Sequence, residues 1–62
     1  MWNDVKLSVA IKSEEAKLAQ LNEQKEQFAA RSQWSVVNAL KVEISKIQFR
    51  LQAYRAVLES DE

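Results

Sequence analysis

Apolar residues recur through the C-terminal half of the chain in an alternating three/four rhythm that misses no step. Val37, Leu40, Ile44, Ile47, Leu51, Tyr54 and Leu58 form one stripe, the a/d spacing of a coiled-coil-like helix. A second stripe runs through Ala39, Val42, Lys46, Phe49, Ala53 and Ala56 with the same spacing and one lysine in it. At about 100° per residue the centres of the two stripes lie roughly 160° apart. A helix with one neighbour needs only one such stripe. The stretch from Val37 to Leu58 is therefore expected to touch two neighbours, and the rest of the chain to be arranged around it.

The N-terminal half carries a thinner version of the pattern. Leu7, Ile11, Leu18, Leu21 and Phe28 keep the rhythm, while Glu14 and Lys25 stand where it asks for an apolar side chain. Asn3 or Asp4 can cap the start of this helix, with Trp2 just outside it. A strand is an alternative at the start, because Val5, Leu7, Val9 and Ile11 also alternate with Lys6, Ser8, Ala10 and Lys12, and Ser13-Glu14-Glu15 would then open the helix. A lone strand would have to pair with another chain. With no turn residue before Ser13, the helical reading is preferred.

The two halves cannot share one seam. Carried forward, the first frame places its a positions at 32 and 39, whereas the second has them at 37 and 44. The break falls in AARSQWS, residues 29–35, where Ser32 and Ser35 are both able to cap a second helix. The expected fold is all-α: one helical-hairpin domain over 1–62, with helices at about 4–30 and 35–59, a connection near 31–34, and dimerisation into a four-helix bundle or coiled-coil-like assembly. A serine cap without glycine is workable if the first helix ends without a left-handed residue. If the turn centres near Ser32, neighbours have residue numbers summing to about 64. Leu18 then meets Lys46 or Ile47, Leu21 meets Glu43 or Ile44, and Phe28 meets Val36 or Val37. In the same register Glu14 comes opposite Arg50 and Glu23 opposite Lys41.

Composition narrows the picture further. A chain of 62 residues buries only about 60% of its unfolded surface, so a domain of this size usually needs a disulfide, a metal or a partner. It has no cysteine and no histidine, which leaves oligomerisation or docking as the remaining source of stability. Glycine and proline are also absent, consistent with two long helices and few tight turns. Hydrophobic residues make up 47% of the chain, too many for disorder, and zero net charge argues against a polyelectrolyte. No apolar run is long enough for a membrane span, and Asp4 and Lys6 interrupt the N-terminal apolar patch, so neither a transmembrane helix nor a signal peptide is expected and the cytoplasm is the expected compartment. The initial methionine and the acidic end from Glu59 to Glu62 are what natural termini would show.

Catalytic chemistry finds no foothold. Without histidine or cysteine the imidazole bases and thiol nucleophiles are excluded, and without glycine there is no phosphate-cradling loop. Glu23 with Glu26, or Glu14 with Glu15, are read as a solvated helix face beside lysines; Ser13, Ser32 and Ser35 are read as caps and turn residues. No enzyme, metal site or cofactor is expected.

The second stripe, Ala39, Val42, Phe49, Ala53 and Ala56, has two readings. Either Phe49 packs under the hairpin's own first helix, or the stripe receives a second chain; the latter is favoured, with self-association into a dimer ahead of a foreign protein. Trp34 near the turn either covers the end of the core or anchors a partner, and Trp2 is expected near Tyr54 and Leu58.

Charge is uneven. Arg31, Lys41, Lys46, Arg50 and Arg55 face the single acid Glu43 in their stretch, and Lys41, Gln48, Gln52 and Arg55 share one side of the second helix. Such a face could meet phosphates. In size and hairpin plan the chain resembles the Rop family of plasmid RNA-binding proteins, small hairpins that dimerise into a four-helix bundle and hold a pair of RNA loops. No stretch matches that family's RNA-contacting pattern, so no functional residue is carried over.

The expected function is a non-enzymatic protein–protein interaction module, such as a small adaptor, chaperone, inhibitor or structural subunit. It would self-associate and dock on a larger partner whose identity the residues do not name. Trp34, Phe49, Arg50 and Arg55 are the expected partner contacts, with Lys41 as a further polar one. The alternative is a Rop-like dimeric RNA or DNA binder. A membrane-surface hairpin is disfavoured because no consistently basic face flanks the apolar stripes.

Overall fold

The apolar rhythm of each half becomes a helix. The computed structural model describes residues 4–60 as α1 (Asp4–Ala30) and α2 (Trp34–Ser60), joined by residues 31–33. No strand occurs among the described residues. The two helices form an antiparallel hairpin, so the expected all-α hairpin is the fold. Trp2 and Asn3 lie outside the described residues, and with them the contact expected between Trp2 and Tyr54.

Residues 5–11 are helical, and the strand alternative is not taken. Leu7 and Ile11 are also one helical turn apart, so the alternating pattern is satisfied equally by a helix that buries Leu7 against α2. α1 runs on through Ser13 without a break.

The core is the seam between the helices. Val37, Ile44, Ile47 and Leu51 of α2 are buried, Leu40 and Tyr54 half-buried, and Leu58 at the open end is exposed. From α1 only Leu7 is buried; Ile11, Leu18, Leu21 and Phe28 are half-buried, and Glu14 and Lys25 hold intermediate positions in the same row. The polar steps in the first stripe thus lie along the seam, where they thin the core. Each fully buried Leu, Ile or Val contributes about 1.5–3 kcal/mol.

The connection differs from expectation in one respect. Ser32 sits in the left-handed region at φ 59°, so α1 does end on a left-handed residue. Its N–H donates to the Ala29 carbonyl at 3.0 Å and the Gln33 N–H donates to the Phe28 carbonyl at 3.0 Å, the paired bonds of a Schellman closure. Arg31 N–H also donates to the Phe28 carbonyl, at 3.1 Å. Two carbonyls left open at the end of α1 are satisfied this way within three residues. A left-handed residue that is not glycine costs about 1–2 kcal/mol, which these bonds and the seam offset. The helix N-terminus also lies elsewhere than expected: the Gln33 carbonyl accepts the Val37 N–H at 3.1 Å, which places Gln33 at the cap and Ser35 inside the first turn of α2. Trp34, expected in the connection, is the first helical residue.

Two substitutions check this account. Ser32→Gly should raise the thermal midpoint by several degrees, because up to about 1 kcal/mol is regained at the left-handed position and a domain of this size shifts by about 4–8 °C per kcal/mol. Ile47→Ala should cost about 2–5 kcal/mol and leave little folded protein by circular dichroism.

Candidate functional site: the outer face of the second helix

The second stripe of α2 points away from α1. Phe49 is 73% exposed and Val42 55%, and Ala39, Ala53 and Ala56 are exposed alongside them. The reading in which Phe49 packs under the hairpin's own first helix is therefore excluded. The cause is angular: α1 occupies one side of α2, and the second stripe lies roughly 160° around the helix from it. Val42, Ser45, Lys46, Phe49 and Arg50 line a shallow apolar groove on this face. Lys46 Nζ lies 3.7 Å from Glu43 Oε1, one turn back along the helix, so the one charge in the stripe is drawn toward its flank.

Trp34 is 58% exposed at the start of α2, so it does not bury itself over the end of the core. It does not join the Val42–Phe49 patch either. It lies about 12 Å along the axis from Val42 and roughly 90° around the helix from the stripe's centre.

Arg50 and Arg55 are engaged within the chain. Arg50 Nη2 donates to Glu14 Oε2 at 3.3 Å, the pair the register predicts, and Arg55 Nη2 donates to Glu15 Oε2 at 2.9 Å. The second pair departs from the simple register by six residues, about 9 Å along the axis, a span that the extended arginine and glutamate side chains cover together. The expected opposition of Glu23 and Lys41 yields no ion pair among the described residues, and both side chains are exposed. Summing residue numbers places two residues at one height but ignores azimuth: Glu23 points roughly 170° away from the α1 seam, whereas Glu14 lies in it.

The basic face of α2 is correspondingly subdued. Of Arg31, Lys41, Lys46, Arg50 and Arg55, the last three are paired with Glu43, Glu14 and Glu15, and the Arg31 guanidinium lies 5.9 Å from the centre of the Phe28 ring. Gln48, Gln52 and Arg55 line an open groove along the side of the hairpin, but Glu15 and Glu59 line it too. Among the described residues no group of three or more acidic side chains is placed to hold a metal ion, and no helix is long and apolar enough to cross a membrane.

A further apolar patch lies off both stripes, on α1. Val5 and Val9 are 70% and 61% exposed on the outer side of α1, in a shallow hollow lined also by Asp4, Ser8 and Lys12. Their i, i+4 spacing, set against Leu7 and Ile11 on the other side, was the available signal.

Comparison of the chain with protein-family models, with curated proteins and with solved structures finds no match. The functional reading accordingly rests on the residues and their placement.

The two interhelical ion pairs should differ in strength. Glu14 is the more sheltered acid, with its side chain 16% exposed against 48% for Glu15. A double-mutant cycle of Glu14→Ala with Arg50→Ala should give a coupling of about 1 kcal/mol, and Glu15→Ala with Arg55→Ala a few tenths, the second vanishing in high salt.

Proposed function

We propose that the chain is a non-enzymatic protein–protein interaction module: a helical hairpin that self-associates through the outer face of α2 and in that form docks on a larger macromolecule. The observation that carries this reading is the pairing of a buried inner stripe with an exposed outer one on the same helix, Phe49 and Val42 foremost. Isolated apolar side chains on a surface are ordinary, but a helical row of them, here broken once by Lys46, is the layout of a helix-packing face. The thin core strengthens the argument, since a hairpin with five buried hydrophobic residues among those described gains most from a partner.

The nucleic-acid alternative draws on Lys41, Gln48, Gln52 and Arg55. It is weakened by the engagement of Arg50 and Arg55 with acids of α1, which competes with phosphate contact. Retention on heparin that falls steeply between low and moderate salt would favour it over protein binding.

Self-association predicts a thermal midpoint that rises with protein concentration and a sedimentation mass above that of one chain. Phe49→Glu should return the protein to a single chain and abolish the concentration dependence. Because Phe49 lies outside the hairpin's own seam, the variant should keep whatever helix the seam alone sustains. A wild-type protein that stays monomeric from micromolar to millimolar concentration sinks the proposal.

A further inference from the structure

We infer that the outer face of α2 is covered by the same face of a second copy running antiparallel, with the midpoint of the contact between Lys46 and Phe49, so that four helices lie in a row, α1–α2–α2–α1. This rests on the self-association proposed above and specifies its geometry.

The row follows from the angle between the stripes. In a square four-helix bundle each helix meets two neighbours about 90° apart and carries one broad apolar wedge. On α2 the stripes are roughly 160° apart. The arcs between them carry Lys41, Gln48 and Gln52 on one side and Glu43 and Arg50, with Val36 and Val57, on the other. A neighbour seated at 90° would cover those side chains and leave Phe49 bare. A neighbour opposite α1 covers Phe49 and leaves the charges in water.

The antiparallel sense follows from charge and size. Parallel helices in register would set Lys46 against Lys46 and Phe49 against Phe49, stacking like charges and the two largest groups at adjacent layers. Antiparallel helices centred between these residues set Lys46 of each copy against Phe49 of the other, Val42 against Ala53, and Ala39 against Ala56. Each large side chain then meets a small one or an alkyl stem. Lys46 already directs its ammonium toward Glu43 at the flank, which leaves its stem free to lie along the ring.

The rod as a whole has surface to spare. The hairpin measures 46 × 14 × 13 Å and exposes 4843 Å², whereas a compact monomer of 7.2 kDa would expose about 4,100 Å². The surplus of roughly 700 Å² approaches the ~800 Å² that each partner of a standard interface buries. A contact between this face and the Val5–Val9 patch of another copy would instead be head-to-tail and would not close.

Cysteine cross-linking tests the geometry, since the chain has no cysteine of its own. In the antiparallel row an equimolar mixture of Ala39→Cys and Ala56→Cys chains should oxidise to a disulfide between unlike chains. Each variant alone should stay uncross-linked, because its own positions are offset by 17 residues, about 25 Å along the axis. Val42→Cys with Ala53→Cys repeats the test one layer closer to the midpoint, and wild-type helicity and sedimentation of each variant show that it folds. Cross-linking of each variant alone means parallel helices and overturns the inference. A dimer that gives no disulfide with either mixture places the contact on another face, and a mass that keeps growing with concentration indicates the head-to-tail contact; both overturn the inference and leave self-association standing. A monomer at every concentration removes the self-association itself.

Discussion

One helix can cover only one side of another, and the architecture of this chain follows from that limit. α1 buries Val37, Ile44, Ile47 and Leu51 of α2 and can reach no further around it. Val42 and Phe49, on the far side, stay in water as long as a single hairpin is considered. The helices are also unequal in composition. A helix with one neighbour tolerates Glu14 and Lys25 along its contact row, as α1 does, whereas both stripes of α2 are apolar but for Lys46.

The connection and the ion pairs determine how the two rods meet. With glycine absent, Ser32 takes the left-handed position and the backbone closes the end of α1 by two bonds to the Ala29 and Phe28 carbonyls. That closure returns the chain in three residues, so the helices must run antiparallel and adjacent. Arg50 and Arg55 of α2 then find Glu14 and Glu15 of α1 on opposite flanks of the seam. Such pairs add little stability at the surface but penalise a slipped register. They also draw two arginines toward the hairpin's own surface, away from a ligand.

What the described residues offer for function is a rod with apolar surface on its outer sides. The groove beside Phe49 is shallow and lined mainly by carbon, a shape suited to another helix more than to a small molecule. Val5 and Val9 give the N-terminal end of α1 a smaller patch on the opposite side of the hairpin. A pair of hairpins joined through α2 would carry that patch at both outer edges, which is where a larger partner could be met twice.

Helix type, the break near Ser32, the inner stripe and the Glu14–Arg50 pair were all legible in the residues, because each depends on spacing along one helix or on height along two. The continuation of α1 through Val5–Ile11 was less so, since Leu7 and Ile11 satisfy both a two-residue and a four-residue period. Azimuth and local closure escaped altogether. Glu23 was matched to Lys41 by height while pointing to the far side, Arg55 reached Glu15 across more than one step of the register, and Ser32 accepted a conformation that composition argued against. Trp34 proved exposed for a related reason: a residue at a helix start is placed by the turn before it, which no stripe encodes. Periodicity is a property of one helix and can be counted along the chain. Which side faces the neighbour, and what the turn must do to bring it there, are settled only when both helices compete for the same space.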